Sequence, residues 1–172
     1  MEQPVGKSVV LRYGHIEAAL AEIMNIEPEN AKAFHARLRH LRNIGVPAGL
    51  PTPGKGQAIK YTRKHALELL IAVSLQNAGI GPRAAAKAAN NMNEVFQSGS
   101  ERTEENIFGA VYPSIGKQED AYIHCTVLPG AERLTESLKL MEKLPVAPVV
   151  TIINLSRLNA LLQNSLNRQI YI

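Results

Sequence analysis

The chain has 172 residues, 45% of them apolar, with no Trp and a net charge of +4. That size and apolar fraction fit one or two globular domains with a mainly aliphatic core. The single cysteine, Cys125, excludes an intrachain disulfide, and no apolar run approaches the roughly 18 to 20 residues of a membrane span.

In chain order, residues 1–12 read as a short arm or strand. From His15 to Ile26 the apolar positions Ile16, Leu20, Ile23 and Met24 fall at helical spacing. A second helix is predicted over 28–43. Pro28 suits its first turn, and Glu27 and Glu29 suit its positive end. Ala31, Phe34, Leu38 and Leu41 form its apolar stripe, with Lys32, Arg39 and Asn43 opposite, His35 and Arg42 flanking, and Arg37 on the other side. Gly45 is placed to end it.

The stretch 51–62 follows. Pro51 and Pro53 stop a helix, Gly54-Lys55-Gly56 suits a tight turn, and Ala58 to Thr62 alternates like a strand. The expectation is a small hairpin with Lys55 near its tip and Lys60 on its arm. Thr62 can N-cap a third helix that reaches Asn77, and a short alanine-rich fourth runs from Pro82 to about Phe96. Residues 97–118 are polar, with glycine and proline, and read as a linker. Beyond them come a strand at 121–128, an amphipathic helix at 130–143, a β-branched strand at 148–155 and a leucine-faced helix at 155–167. The fold class expected is mainly α (α+β): a domain over 1–96 and a small α/β unit over 119–172, serving oligomerisation or partner binding.

Charge is concentrated. Between Asn30 and Asn93 lie ten Lys or Arg and one acid, Glu68, for a local charge of +9; the remainder of the chain carries −5. A compact basic block of this kind is the footprint of a phosphate-backbone binder.

Three segments resemble a known family. "LRHLRNIGV" at 38–46 resembles the recognition-helix signature of MerR-type regulators, with Leu38, Arg39 and Gly45 matching in kind. "GQAIKYT" at 56–62 resembles that family's wing strand, and "HALELLIAVSLQNAGIGPRAAAKAA" at 65–89 resembles its next two helices. The resemblance covers about 14–92 and implies a winged helix-turn-helix that binds double-stranded DNA. The family's long coiled coil has no counterpart here, so its dimer geometry and effector sensing are not implied.

The function expected is a sequence-specific transcription regulator of bacterial or phage type. The helix 28–43 would enter the major groove, where Lys32, Arg39 and Asn43 meet base edges, since Arg suits guanine and Asn suits adenine. His35 and Arg42 would reach phosphates. Lys55 and Lys60 on the wing would meet the backbone or minor groove, and Arg63 and Lys64 a phosphate. A homodimer and a protein partner for the C-terminal unit are expected; a cofactor, a membrane and a nucleoid-independent location are not. With one cysteine and no apolar leader in "MEQPVGKSVV", the expected place is the cytoplasm, at the nucleoid.

No catalytic constellation is visible, and no enzyme is expected. His124 and Cys125 are neighbours in a strand and point to opposite faces, so they make a poor metal pair. The alternatives are an architectural or replication factor on the same DNA-binding domain, and a protein-interaction module, such as an antitoxin or adaptor, whose basic face meets an acidic partner.

Overall fold

The computed structural model describes residues 11–51, 59–99, 107–112, 124–129 and 151–170. Among them the protein is mainly helical, with five α-helices and three strands. α1 is Tyr13–Ile23; a 3-10 turn, Pro28–Asn30, leads into α2, Ala31–Asn43; α3 is Arg63–Asn77 and α4 is Pro82–Gly99. The strands are β1 (Ile107–Tyr112), β2 (His124–Pro129) and β3 (Thr151–Asn154), and α5 is Leu155–Ile170. The arm before residue 11, the hairpin tip with Lys55 and the helix expected at 130–143 lie outside the described residues.

The first three helices end alike. At α2, Gly45 adopts φ 91°, its N–H donates to the Arg42 carbonyl, and the Val46 N–H donates to the Leu41 carbonyl. Gly79 repeats this after α3, and Asn25, at φ 51°, repeats it after α1. This paired bonding closes orphan carbonyls at each helix end and turns the chain sharply. At the other end of α3, the Thr62 hydroxyl accepts from the His65 N–H, and His65 Nδ1 accepts from the Thr62 N–H at 3.1 Å. A histidine thus takes the part that Glu or Gln plays in a capping box.

α3 is the hub. Every residue from Ala66 to Val73 is buried, which is the pattern of a helix enclosed on all sides rather than lying on a surface. Phe34, Leu38 and Leu41 bring α2 to the same core as Ile16, Ala19 and Leu20 of α1. Ala31, expected in that stripe, is exposed, because α2 starts with it just after the 3-10 turn and its first turn projects beyond the core.

The stretch expected as a linker at 97–118 is structured at both ends of its first half. α4 continues to Gly99, and β1 occupies 107–112 as the central strand of an antiparallel sheet of order β2-β1-β3. Gly109 lies opposite Val127 on one side and Ile153 on the other. A Cβ at Gly109 would come within 2.7 Å of the Met92 thioether, so the sheet rests closely on α4.

Helix α5 packs on the N-terminal helices. Leu155, Leu162 and Leu166 of α5 are fully buried in the cluster that holds α1 and α3. The buried Ser165 hydroxyl lies against the Ala19 carbonyl and Glu22 of α1, and Arg168 pairs with Glu22. Arg63 at the start of α3 donates to Asn167 at 3.2 Å. Among the described residues, the leucine face of α5 therefore covers the N-terminal helices.

Candidate nucleic-acid interface

α2 contains four Lys or Arg and no acid. Its exposed residues are Ala31, Lys32, Ala33, Ala36, Arg39, His40 and Asn43. Lys32, Ala36, Arg39 and Asn43 follow one another at spacings of four, three and four, so they form a single stripe. Ala36 leaves that stripe low between its cations Lys32 and Arg39, which allows close approach to a flat or grooved partner. Ala33, Ala36 and His40 escaped sequence reasoning, although the same 3.6-residue period that selects Arg39 selects them.

The flanking cations are held. The Arg42 guanidinium carbon sits 4.4 Å above the centre of the Tyr13 ring, a cation–π distance. Tyr13 lies 5.9 Å from Tyr61, centre to centre, and Tyr61 lies 6.3 Å from His65. Burial, with help from Glu17, raises the Tyr13 pKa; burial also raises that of Tyr61. Both rings therefore stay neutral, Tyr13 directly beneath Arg42. His35 is half-buried, with Nδ1 2.6 Å from Glu17 of α1.

Arg37 is used for structure. Its guanidinium donates to the side chains of Gln76 and Asn77 and to the Val73 carbonyl, the last two at 2.7 and 3.0 Å. It locks α2 to the last turns of α3. Desolvation lowers its pKa, but a guanidinium remains charged throughout the physiological range.

The roots of the expected hairpin stand beside the end of α2. A hollow of about 90 Å³ is lined by Arg42 and Asn43 of α2, by Pro51 on the near side of the loop, and by Ile59 and Tyr61 on the far side. Tyr61 forms an antiparallel bridge with Leu11, its carbonyl and N–H bonding at 2.9 and 3.2 Å, which ties the loop to the segment before α1. Lys60 is exposed at this root, and Arg63 and Lys64 are exposed where α3 begins.

Two further cations of the basic block, Arg83 and Lys87 of α4, line an open cleft of about 480 Å³ beside the turn that follows α2. Glu68 lies at its wall, 2% exposed. It accepts from the Ala48 N–H at 2.9 Å and from Asn93 at 3.5 Å. Burial raises its pKa despite those two bonds. The one acid of the basic block is thus an internal tether for the turn.

Of the residues singled out from sequence, Lys32, Arg39 and Asn43 share the exposed stripe. Lys60 stands at the loop root, His35 and Arg42 flank the stripe in fixed contacts, and Arg63 is drawn toward α5. Among the described residues, no group of His, Cys, Asp or Glu is placed to hold a metal ion, and no helix is long and apolar enough to cross a membrane. No protein-family model matches the chain, and no curated protein matches its sequence.

Proposed function

We propose that this chain is a sequence-specific regulator that binds double-stranded DNA through a winged helix-turn-helix of MerR-like form. α2 enters the major groove, and the loop 51–62 lies against the backbone or the adjacent minor groove. One observation carries the reading: the acid-free exposed stripe of α2 ends at the same hollow from which both roots of the loop rise. A cationic helix and a neighbouring basic loop can then engage one duplex side by side.

Arg39 is assigned to a guanine edge and Asn43 to an adenine edge, with Lys32 as the third base-facing residue. Ala36 admits the helix to the groove floor, where a thymine methyl can meet it. Lys55, Lys60, Lys64 and Arg63 reach phosphates. His35 and Arg42, fixed by Glu17 and Tyr13, border the groove and add positive potential more than mobile contacts.

Selection from a randomised duplex library, followed by salt titration on the selected site, tests this. A defined motif should emerge, and log affinity should fall with log salt at about 0.9 per phosphate neutralised. An inverted repeat in the motif would report a two-fold dimer. Arg39→Ala should cost roughly 1 to 3 kcal/mol on the selected site and relax one position. Lys60→Ala should weaken all sequences alike and reduce the salt slope by about 1. Duplex binding without any preferred motif favours an architectural factor. Absence of duplex binding at low salt removes the proposal and leaves a protein partner.

A further inference from the structure

Glu17 lies outside the basic block, on α1, yet it is linked to the exposed face of α2. Its Oε1 is 2.6 Å from His35 Nδ1. Across the same ring, His35 Nε2 is 3.0 Å from Arg39 Nη2. A guanidinium offers only N–H donors. Nε2 must therefore be the accepting nitrogen, and the ring proton sits on Nδ1, donated to the carboxylate. The Tyr13 ring meets the imidazole edge-on at 6.4 Å, and Arg42 lies over the face of that tyrosine.

The arrangement has a definite polarity. A neutral imidazole carries one donor and one acceptor, and the partner of one nitrogen decides the state of the other. The opposite tautomer would aim an N–H at the Arg39 N–H and a lone pair at the Glu17 carboxylate, making both contacts repulsive. Glu17 at one end thus decides whether Arg39 is held at the other. One guanidinium N–H is committed to His35, and among the described residues the exposed side chain has no other hydrogen-bond partner. A long side chain fixed before binding has less freedom to lose when it meets a base.

We propose that Glu17, acting through His35, is a positioning residue for Arg39: a carboxylate–imidazole–guanidinium relay from α1 sets the aim of the side chain that reads DNA. The proposal rests on the assignment of Arg39 to a base edge. Its residues lie one helix apart and eighteen positions apart in sequence, Glu17 to His35.

The first measurement needs no DNA. Nitrogen-15 spectra of the imidazoles in the full chain, taken where the rings are neutral, should show His35 protonated on Nδ1 and bare on Nε2. In Glu17→Ala the acceptor at Nδ1 is gone, and the proton should shift toward Nε2. A parent protein with its His35 proton on Nε2 overturns the relay without recourse to any variant, and so does Glu17→Ala with an unchanged pattern.

The second measurement compares matched and mismatched duplexes at the position that Arg39→Ala relaxes. Glu17→Ala should lose roughly three- to tenfold in discrimination there, the affinity equivalent of freeing one long side chain. Its affinity for random duplex should equal or exceed the parent's, because a negative charge beside the basic face has gone. Unchanged discrimination overturns the positioning role. If Arg39→Ala relaxes no position, the base-reading assignment falls and takes the proposal with it, even where the spectrum shows the relay intact.

Discussion

Removal of Arg37 separates helix packing from the proposed DNA contact within one basic helix. Arg37 belongs to the same cationic run as Arg39, yet it faces α3, where its guanidinium donates to Gln76, Asn77 and the Val73 carbonyl. Hydrogen bonds from a charged donor contribute roughly 1.5 to 3 kcal/mol each when well enclosed. Arg37 is half-buried, and Gln76 and Asn77 can turn to water once it is gone. A discount to about 1 kcal/mol per bond gives a loss of roughly 2 to 3 kcal/mol for Arg37→Ala. For a chain of this size that corresponds to a fall in Tm of about 5 to 10 °C, measured by circular dichroism. Arg37→Lys keeps the charge and the stem but not the three-way fork, so it should recover only part of the loss. DNA affinity, measured well below the transition, should stay close to the parent's. An unchanged Tm in Arg37→Ala, or full recovery in Arg37→Lys, would refute the clamp. A collapse of DNA affinity with an intact fold would show that Arg37 faces the duplex after all.

Three other outcomes follow from the same contacts. His65 accepts the Thr62 N–H as a neutral ring, and burial, then Lys64, holds its pKa below the usual 6.5. The unfolded chain then binds the extra proton first, so this contribution is present above about pH 6.5 and is lost as pH falls through the folded value. Urea unfolding should show His65→Gln with a flatter acid dependence than the parent, and an identical slope would count against it. Glu68 has the opposite sign: its raised pKa means that its burial weighs against the fold once it ionises. Glu68→Gln should therefore match or exceed the parent in stability at neutral pH, whereas Glu68→Ala, which orphans the Ala48 N–H and opens a cavity, should lose roughly 2 to 4 kcal/mol. A Gln variant as damaged as the Ala variant would show that the charge itself is required. Last, Leu162→Ala with Leu166→Ala should cost roughly 4 kcal/mol or more in one cooperative transition, since each buried leucine truncation costs about 2 to 5 kcal/mol. Separate melting of an intact N-terminal part would refute the shared core.

Local sequence patterns determined the helices and the candidate surface. The 3.6-residue spacing of Phe34, Leu38 and Leu41 settles which side of α2 is buried, and so which side carries Lys32, Arg39 and Asn43. Gly45, Gly79 and Thr62 mark helix ends because the conformations and capping bonds needed there suit those residue types. Tertiary structure alone decided what each cation does. Arg37 and Arg39 are two residues apart in one helix, and only the position of α3 makes the first a clamp and leaves the second exposed. Only the approach of α1 brings Glu17 to His35, and only the burial of Leu162 and Leu166 against α1 and α3 joins the two ends of the chain in one core. A period in sequence reports which residues share a face. What that face meets depends on contacts between segments far apart in the chain, which no local pattern encodes.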